Sequence, residues 1–267
     1  MRIITLIENL VYDKCLVSEH GFSIYIEAGN KKILFDTGQS GDFIENAVKL
    51  GIDISKVDYC IISHGHYDHT GGLSKFIKYN KKAKIYFKEE CLNKKYKLKD
   101  EYIGIPFNKN ILNNRQNFVK DIIEIGKSIF IMPQIKIYHK EDIHFKNMFL
   151  KDKNNFFQDE FLDEQFLVIK NCNSLIIISG CSHRGITNII QTASDHFNLP
   201  VEMILGGFHL KGEKEETVNK IVNKLKKFNI KKIGVSHCTG IDKYSILKNK
   251  FGDKVFYNYT GNIININ

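Results

Sequence analysis

His64-Gly65-His66-Tyr67-Asp68-His69 places four metal-capable side chains within six positions. The apolar run Val57–Ser63 before it has the character of a buried strand, and Gly71-Gly72 and a helix-like stretch follow. A strand that ends in a His-rich loop presents several donors from one rigid edge. Imidazole nitrogen and carboxylate oxygen suit zinc and similar divalent ions. The chain has 10 His, and three of them with an Asp in one hexad are a poor match to a polar loop with chance histidines. A metal site is the expected use.

Length and composition set the frame. The 267 residues fit one large domain or two small ones, and at 43% hydrophobic they can bury a sizeable core; we take 1–267 as a single domain. No window approaches the ~18 apolar residues of a membrane span. Met1–Glu8 is charged too early for a signal-peptide core and suits a first strand. A cytoplasmic protein with no membrane partner is expected. Cys15, Cys60, Cys91, Cys172, Cys181 and Cys238 form no CxxC pair, and in the cytosol they stay reduced.

Net charge is +9, and it is uneven. Lys75 to Asp100 holds ten Lys against Glu89, Glu90 and Asp100. Such a stretch is either a solvated helix face or an electrostatic funnel for an anionic substrate. It contains no Arg, the residue favoured for bidentate phosphate recognition, so a nucleic-acid partner is not expected.

Strand candidates open the chain at Ile3–Ile7, Phe22–Ala28 and Lys32–Phe35, with a hairpin signal at Gly29-Asn30. An amphipathic helix over Asp42–Leu50 ends at Gly51. A short helix over Gly72–Tyr79 and a strand over Ala83–Phe87 come after the motif. Lys88 to Asn114 is polar and lysine-rich, suggesting partial helix, and strands are expected at Phe118–Ile125 and Ile129–Tyr138. Residues 139–165 are irregular, with Phe145, Phe149, Phe156, Phe157 and Phe161 among charges. They form either a lid over the site or a loop pinned to the core by those rings. The second half alternates more regularly. Strands are expected at Phe166–Lys170, Leu175–Ser179, Val201–Leu205, Lys232–Ser236 and Val255–Tyr259, with helices at Gly185–Phe197, Glu213–Phe228 and Ile241–Asn249. His183, His209 and His237 each follow one of these strands with Gly nearby, where α/β sheets bind ligands.

HGHYDHTGG resembles the H-x-H-x-D-H signature of the metallo-β-lactamase superfamily, and Asp36-Thr37-Gly38 resembles its early D-T-G turn. Together with SGCSHRGI, GGFHL and SHCTG, the set resembles the subgroup of dihydropterin–ribofuranosylaminobenzene-phosphate synthase-like proteins. The resemblance runs from about Asp36 to Gly240 and implies an α+β fold, a four-layer αβ/βα sandwich with two mixed sheets.

It also implies two divalent metal ions, zinc foremost, with manganese, iron or nickel as alternatives. His64 and His66 would hold one ion; Asp68 and His69 would hold the other. His183 would stand in for a mid-chain His that the commoner hydrolases use, since His139 and His144 end no clean strand. His237 would complete the set. The bridging Asp of those hydrolases aligns with Cys181, so either its thiolate bridges or solvent alone does. Asp163-Glu164 would lie within reach. Asp68 or His209 would move protons, with His209 as a ligand the alternative. Arg184, Thr239 and Gly240 would bind an anionic group. Such a site fits a hydrolase that turns a metal-bound hydroxide on a small anionic substrate. The alternatives are the transferase of the subgroup's name, which joins a dihydropterin methyl diphosphate to ribofuranosylaminobenzene 5'-phosphate, and a metal-binding sensor.

Overall fold

The computed structural model describes residues 1–112 and 114–266. They form two compact units, each built on one mixed sheet.

The first unit comprises Met1–Lys120, Asn147–Asp163 and Tyr259–Asn267. The seven strands of its larger sheet run in the order Ile263–Asn265, Arg2–Ile7, Ser23–Ala28, Lys31–Phe35, Tyr59–Ile61, Lys84–Phe87 and Gln116–Phe118. Pairing is antiparallel as far as Lys31–Phe35 and parallel beyond it. The expected hairpin forms across Gly29, whose φ of 60° suits glycine. Leu34, Cys60 and Ile85 on adjacent strands join Phe43, Ala47, Leu73 and Phe76 from two helices in the core.

The strand expected over Val57–Ser63 is only Tyr59–Ile61. A 3-10 turn, Ile54–Lys56, capped by the Asp53 carboxylate, takes up the chain before it. Beyond it, Ser63 is drawn away by Asp36, which accepts its N–H at 2.7 Å. The motif is partly helical: Tyr67–Thr70 makes one turn before the helix Leu73–Tyr79.

The lysine-rich segment is not helical in its middle. Lys94–Lys97 and Glu101–Tyr102 join the hairpin Met148–Asp152/Asn155–Gln158 in a four-stranded antiparallel sheet. Strand period explains the choice: Tyr96 packs on Tyr102 and Phe156, while its neighbour Lys95 points inward and is buried. Several other lysines are paired with carboxylates, Lys75 with Asp42 and Lys82 with Asp58.

The second unit comprises Asp121–Lys146 and Glu164–Asn258. Its strand order is Val255–Tyr257, Lys232–Val235, Val201–Gly206, Ser174–Ser179, Phe166–Asn171, Ile129–Met132 and Ile123–Gly126. The first four run parallel and the rest antiparallel, the scheme of the first sheet again. The helix Glu215–Lys227 buries Val218, Ile221, Val222 and Leu225, one helical stripe, with acidic residues in its first turn and lysines in its last. Two expected strands are cut short. Phe118–Ile125 breaks at the boundary between the units, and Ile129–Tyr138 stops at Met132 because Pro133 has no N–H to donate.

Gly71 and Gly72 fix the motif to its neighbours. A Cβ on Gly72 would lie 2.1 Å from the Thr37 carbonyl, and one on Gly71 would lie 1.8 Å from that of Gln39. Gly72→Ala is therefore expected to cost about 1–3 kcal/mol or more in urea unfolding, because backbone must move. Unchanged stability would show that the turn has slack.

Candidate metal centre

In the first unit the motif converges on Asp36. This residue follows Lys31–Phe35, is fully buried and holds a left-handed φ of 60°. Oδ1 accepts the Ser63 N–H at 2.7 Å. Oδ2 accepts the Ser63 hydroxyl and His69 Nδ1–H, both at 2.7 Å. Since Ser63 Oγ donates to Asp36, it accepts from His64 Nδ1 at 2.9 Å. Both rings thus carry their proton on Nδ1 and their lone pair on Nε2, the arrangement in which an outer carboxylate orients a ligating imidazole.

The rings of His66 and His69 lie 4.6 and 4.3 Å from that of His64. Burial holds His64 well below the ordinary imidazole range and pushes His66 down to about 3. Buried neutral imidazoles at this spacing fit a divalent ion, since the neutral ring is the ligating form. Asp68 is buried, and its Oδ2 lies 3.2 Å from Nε2 of the exposed His20, a neighbour the sequence did not bring forward.

A second layer supports the loop. Asp163 Oδ2 accepts the Gly65 N–H at 2.7 Å. Lys95, 1% exposed, donates to Asp163 at 2.9 Å and to Asp159 at 2.6 Å. Burial alone would lower the ammonium, but the two carboxylates outweigh it and hold Lys95 above its usual range. Burial opposes ionisation of Asp163 too, yet Lys95 and the Gly65 N–H hold it below the carboxylate range. Phe161, fully buried at a φ of 50°, packs against His66 at 5.3 Å, and the Lys95 ammonium stands 5.0 Å from the same ring.

In the second unit the expected residues sit at the ends of parallel strands. Cys181 and His183 follow Ser174–Ser179, His209 follows Val201–Gly206 and His237 follows Lys232–Val235. The donor atoms of Cys181, His183 and His209 lie within 4.8 Å of one another, as do those of Cys181, His237 and Cys238. The His183 and His209 rings are 4.2 Å apart, and His209 Nδ1 is buried with no hydrogen-bond partner. Such an atom calls for a ligand, ion or water. Ser182, His209 and His237 all hold left-handed φ, at 57°, 50° and 52°. Strain of this kind collects where a site requires it.

Several expectations find different surroundings. Glu164 supports backbone: its carboxylate accepts the N–H groups of His183 and Arg184 at 2.7 and 2.8 Å. Arg184 Nε donates to the Ile135 carbonyl, and the guanidinium lies over Phe145. The Thr239 hydroxyl accepts the Phe208 N–H. The Thr239 and Gly240 N–H groups donate to Ser236 and His237, so neither is left for an anion. His144 bridges Asp142 and Glu213, and His139 binds the Thr187 hydroxyl.

A family model described as the metallo-beta-lactamase superfamily matches residues 18–158. The chain belongs to the metallo-β-lactamase superfamily. An uncharacterized protein of Methanocaldococcus jannaschii is 32% identical over 98% of both chains. A second protein of that organism, named 7,8-dihydropterin-6-methyl-4-(beta-D-ribofuranosyl)-aminobenzene-5'-phosphate synthase, is 30% identical over 99% of this chain and 96% of its own. The crystal structure of Tm1679, described as a metal-dependent hydrolase of the β-lactamase superfamily, aligns with a TM-score of 0.89 and 35% identity over 100% of this chain and 99% of that one. The expected fold and subgroup likeness thus hold. The metallo-β-lactamase fold implies divalent metal binding, and the clusters above supply the donors. Among the described residues no helix is long and apolar enough to cross a membrane.

Two predictions follow from these contacts. Asp36→Asn keeps the shape but replaces one acceptor oxygen by a donor, so metal affinity should fall about 10–100-fold in competition titration; wild-type affinity would refute the orienting role. The second concerns pH. Burial would lower His144, but Asp142 and Glu213 raise it to about 9. A raised folded pKa gives stability that is full below the unfolded value and lost as pH rises through the folded one. Metal-free protein should therefore lose roughly 3 kcal/mol between pH 6 and 10 through this group. His144→Gln should flatten that slope, and an unaltered slope would place the cause elsewhere.

Proposed function

We propose that the protein is a dinuclear metal-dependent hydrolase of a small anionic, phosphate-containing substrate. Its donors would be His64, His66, Asp68 and His69 with Cys181, His183 and His237, and zinc is the foremost candidate. The observation that carries this reading is the Asp36–Ser63 network, which sets His64 and His69 in the tautomer that ligates through Nε2. A bound pair of divalent ions supplies a nucleophile at neutral pH and polarises a phosphoryl oxygen.

The chain's own residues supply the rest. Asp68 would take and pass a proton, a role that His20 at 3.2 Å supports. His209 has an unengaged Nδ1 that suits proton donation to a leaving group or ligation. The Arg184 guanidinium, held at the Ile135 carbonyl and over the Phe145 ring, would bind an anionic group of the substrate. The net charge of +9 favours capture of anions.

The synthase reading stands second, supported by the full-length similarity to a protein of that name. Phosphorus NMR separates the two. Metal-loaded protein is given the dihydropterin methyl diphosphate with and without ribofuranosylaminobenzene phosphate. Phosphate or diphosphate release independent of the acceptor supports hydrolysis, whereas release only with the acceptor overturns it in favour of the transferase. Asp68→Ala should remain folded, lose one metal ion and retain almost no activity. A fully active variant with two ions would refute the assigned site.

A further inference from the structure

The second unit contains two cysteines beside one histidine, and only one of them entered the ligand set above. We propose that Cys238 is a second thiolate donor beside Cys181, so that Cys181, Cys238 and His237 form a sulfur-rich metal site. This rests on the metal-dependent reading and deepens it.

The sulfurs of Cys181 and Cys238 and a His237 ring nitrogen lie within 4.8 Å of one another. Two thiolates on one tetrahedral zinc ion, at ~2.3 Å each, stand about 3.8 Å apart. The cluster therefore has to contract by no more than about 1 Å to close on an ion of that size. The left-handed φ of 52° at His237 brings two consecutive side chains, His237 and Cys238, to one place.

The Cys238 sulfur is held there from two sides. It accepts the His209 backbone N–H at 3.3 Å, and as a thiol it donates to the Cys181 carbonyl at 3.5 Å, a proton it gives up on binding an ion. N–H donors of this kind stabilise and tune metal thiolates. Gly207 makes room, since a Cβ on it would lie 2.5 Å from this sulfur. Cys238 is half-buried. Of the other cysteines, Cys60 and Cys91 are packed in the first unit's core, and Cys15 and Cys172 are exposed. Two thiolates narrow the metal to zinc, iron(II), cobalt or copper(I), and disfavour manganese and magnesium.

Cobalt(II) loading tests this without recourse to activity. The wild type should show a near-ultraviolet thiolate-to-cobalt band. Cys238→Ser and Cys181→Ser should each remove roughly half of it, and the double variant all of it, with the circular dichroism of the fold retained. A full band in Cys238→Ser overturns the proposal. Wild-type protein gives an independent readout if the variants fold poorly. Zinc should protect Cys238 from iodoacetamide several-fold, mapped by mass spectrometry, and equal labelling with and without zinc overturns it. Equilibrium dialysis separates the two readings: no bound cobalt sinks the metal reading as well, whereas bound cobalt with a reactive Cys238 sinks only the thiolate.

Discussion

The Asp36 carboxylate is the constraint on which the first unit's site depends. It sits at the end of an interior strand, is sealed from water and accepts from three donors. Charge-assisted bonds of this kind contribute roughly 1.5–3 kcal/mol each, and a donor stranded by their loss would cost about as much. The same contacts cut short the strand Tyr59–Ile61, turn Ser63 out of it and set the rings of His64 and His69. Fold and ligand chemistry are thus decided by one group. The left-handed backbone at Asp36 is tolerated because this network holds it.

Around that group the chain uses acidic residues to hold loop backbone. Asp163 takes the Gly65 N–H, and Glu164 takes those of His183 and Arg184. These consecutive residues each hold the loop of their own unit from behind. Buried Lys95 keeps Asp163 ionised for that task, and Phe161 lies between the ammonium and His66. A metal loop supported this way keeps its donors in place before any ion arrives, which reduces the ordering cost of binding.

Much of this was legible in the sequence. The hexad, the D-T-G turn and the three strand-end histidines carried the fold and its metal chemistry, because ligand spacing on short loops is a local property. The roles of Asp163, Glu164 and Lys95 were not readable, since each depends on pairing across long stretches of chain. Lys95 is the clearest case. A lysine among nine others in a polar run signals solvent, and only the register of a small sheet turns it inward. The two sheets share one scheme, antiparallel then parallel, though the sequence shows no repeat; a strand pattern is kept by hydrophobic period alone. The strands expected over Phe118–Ile125 and Ile129–Tyr138 are cut short because apolar runs do not reveal a unit boundary or the cost of Pro133.

Anomalous diffraction from metal-loaded crystals tests the central claim most directly. The account predicts ions bound to Nε2 of His64, His66 and His69, with Asp36 still on His69 Nδ1. An ion on Nδ1 of His64 or His69, or one sited away from these rings, would contradict it.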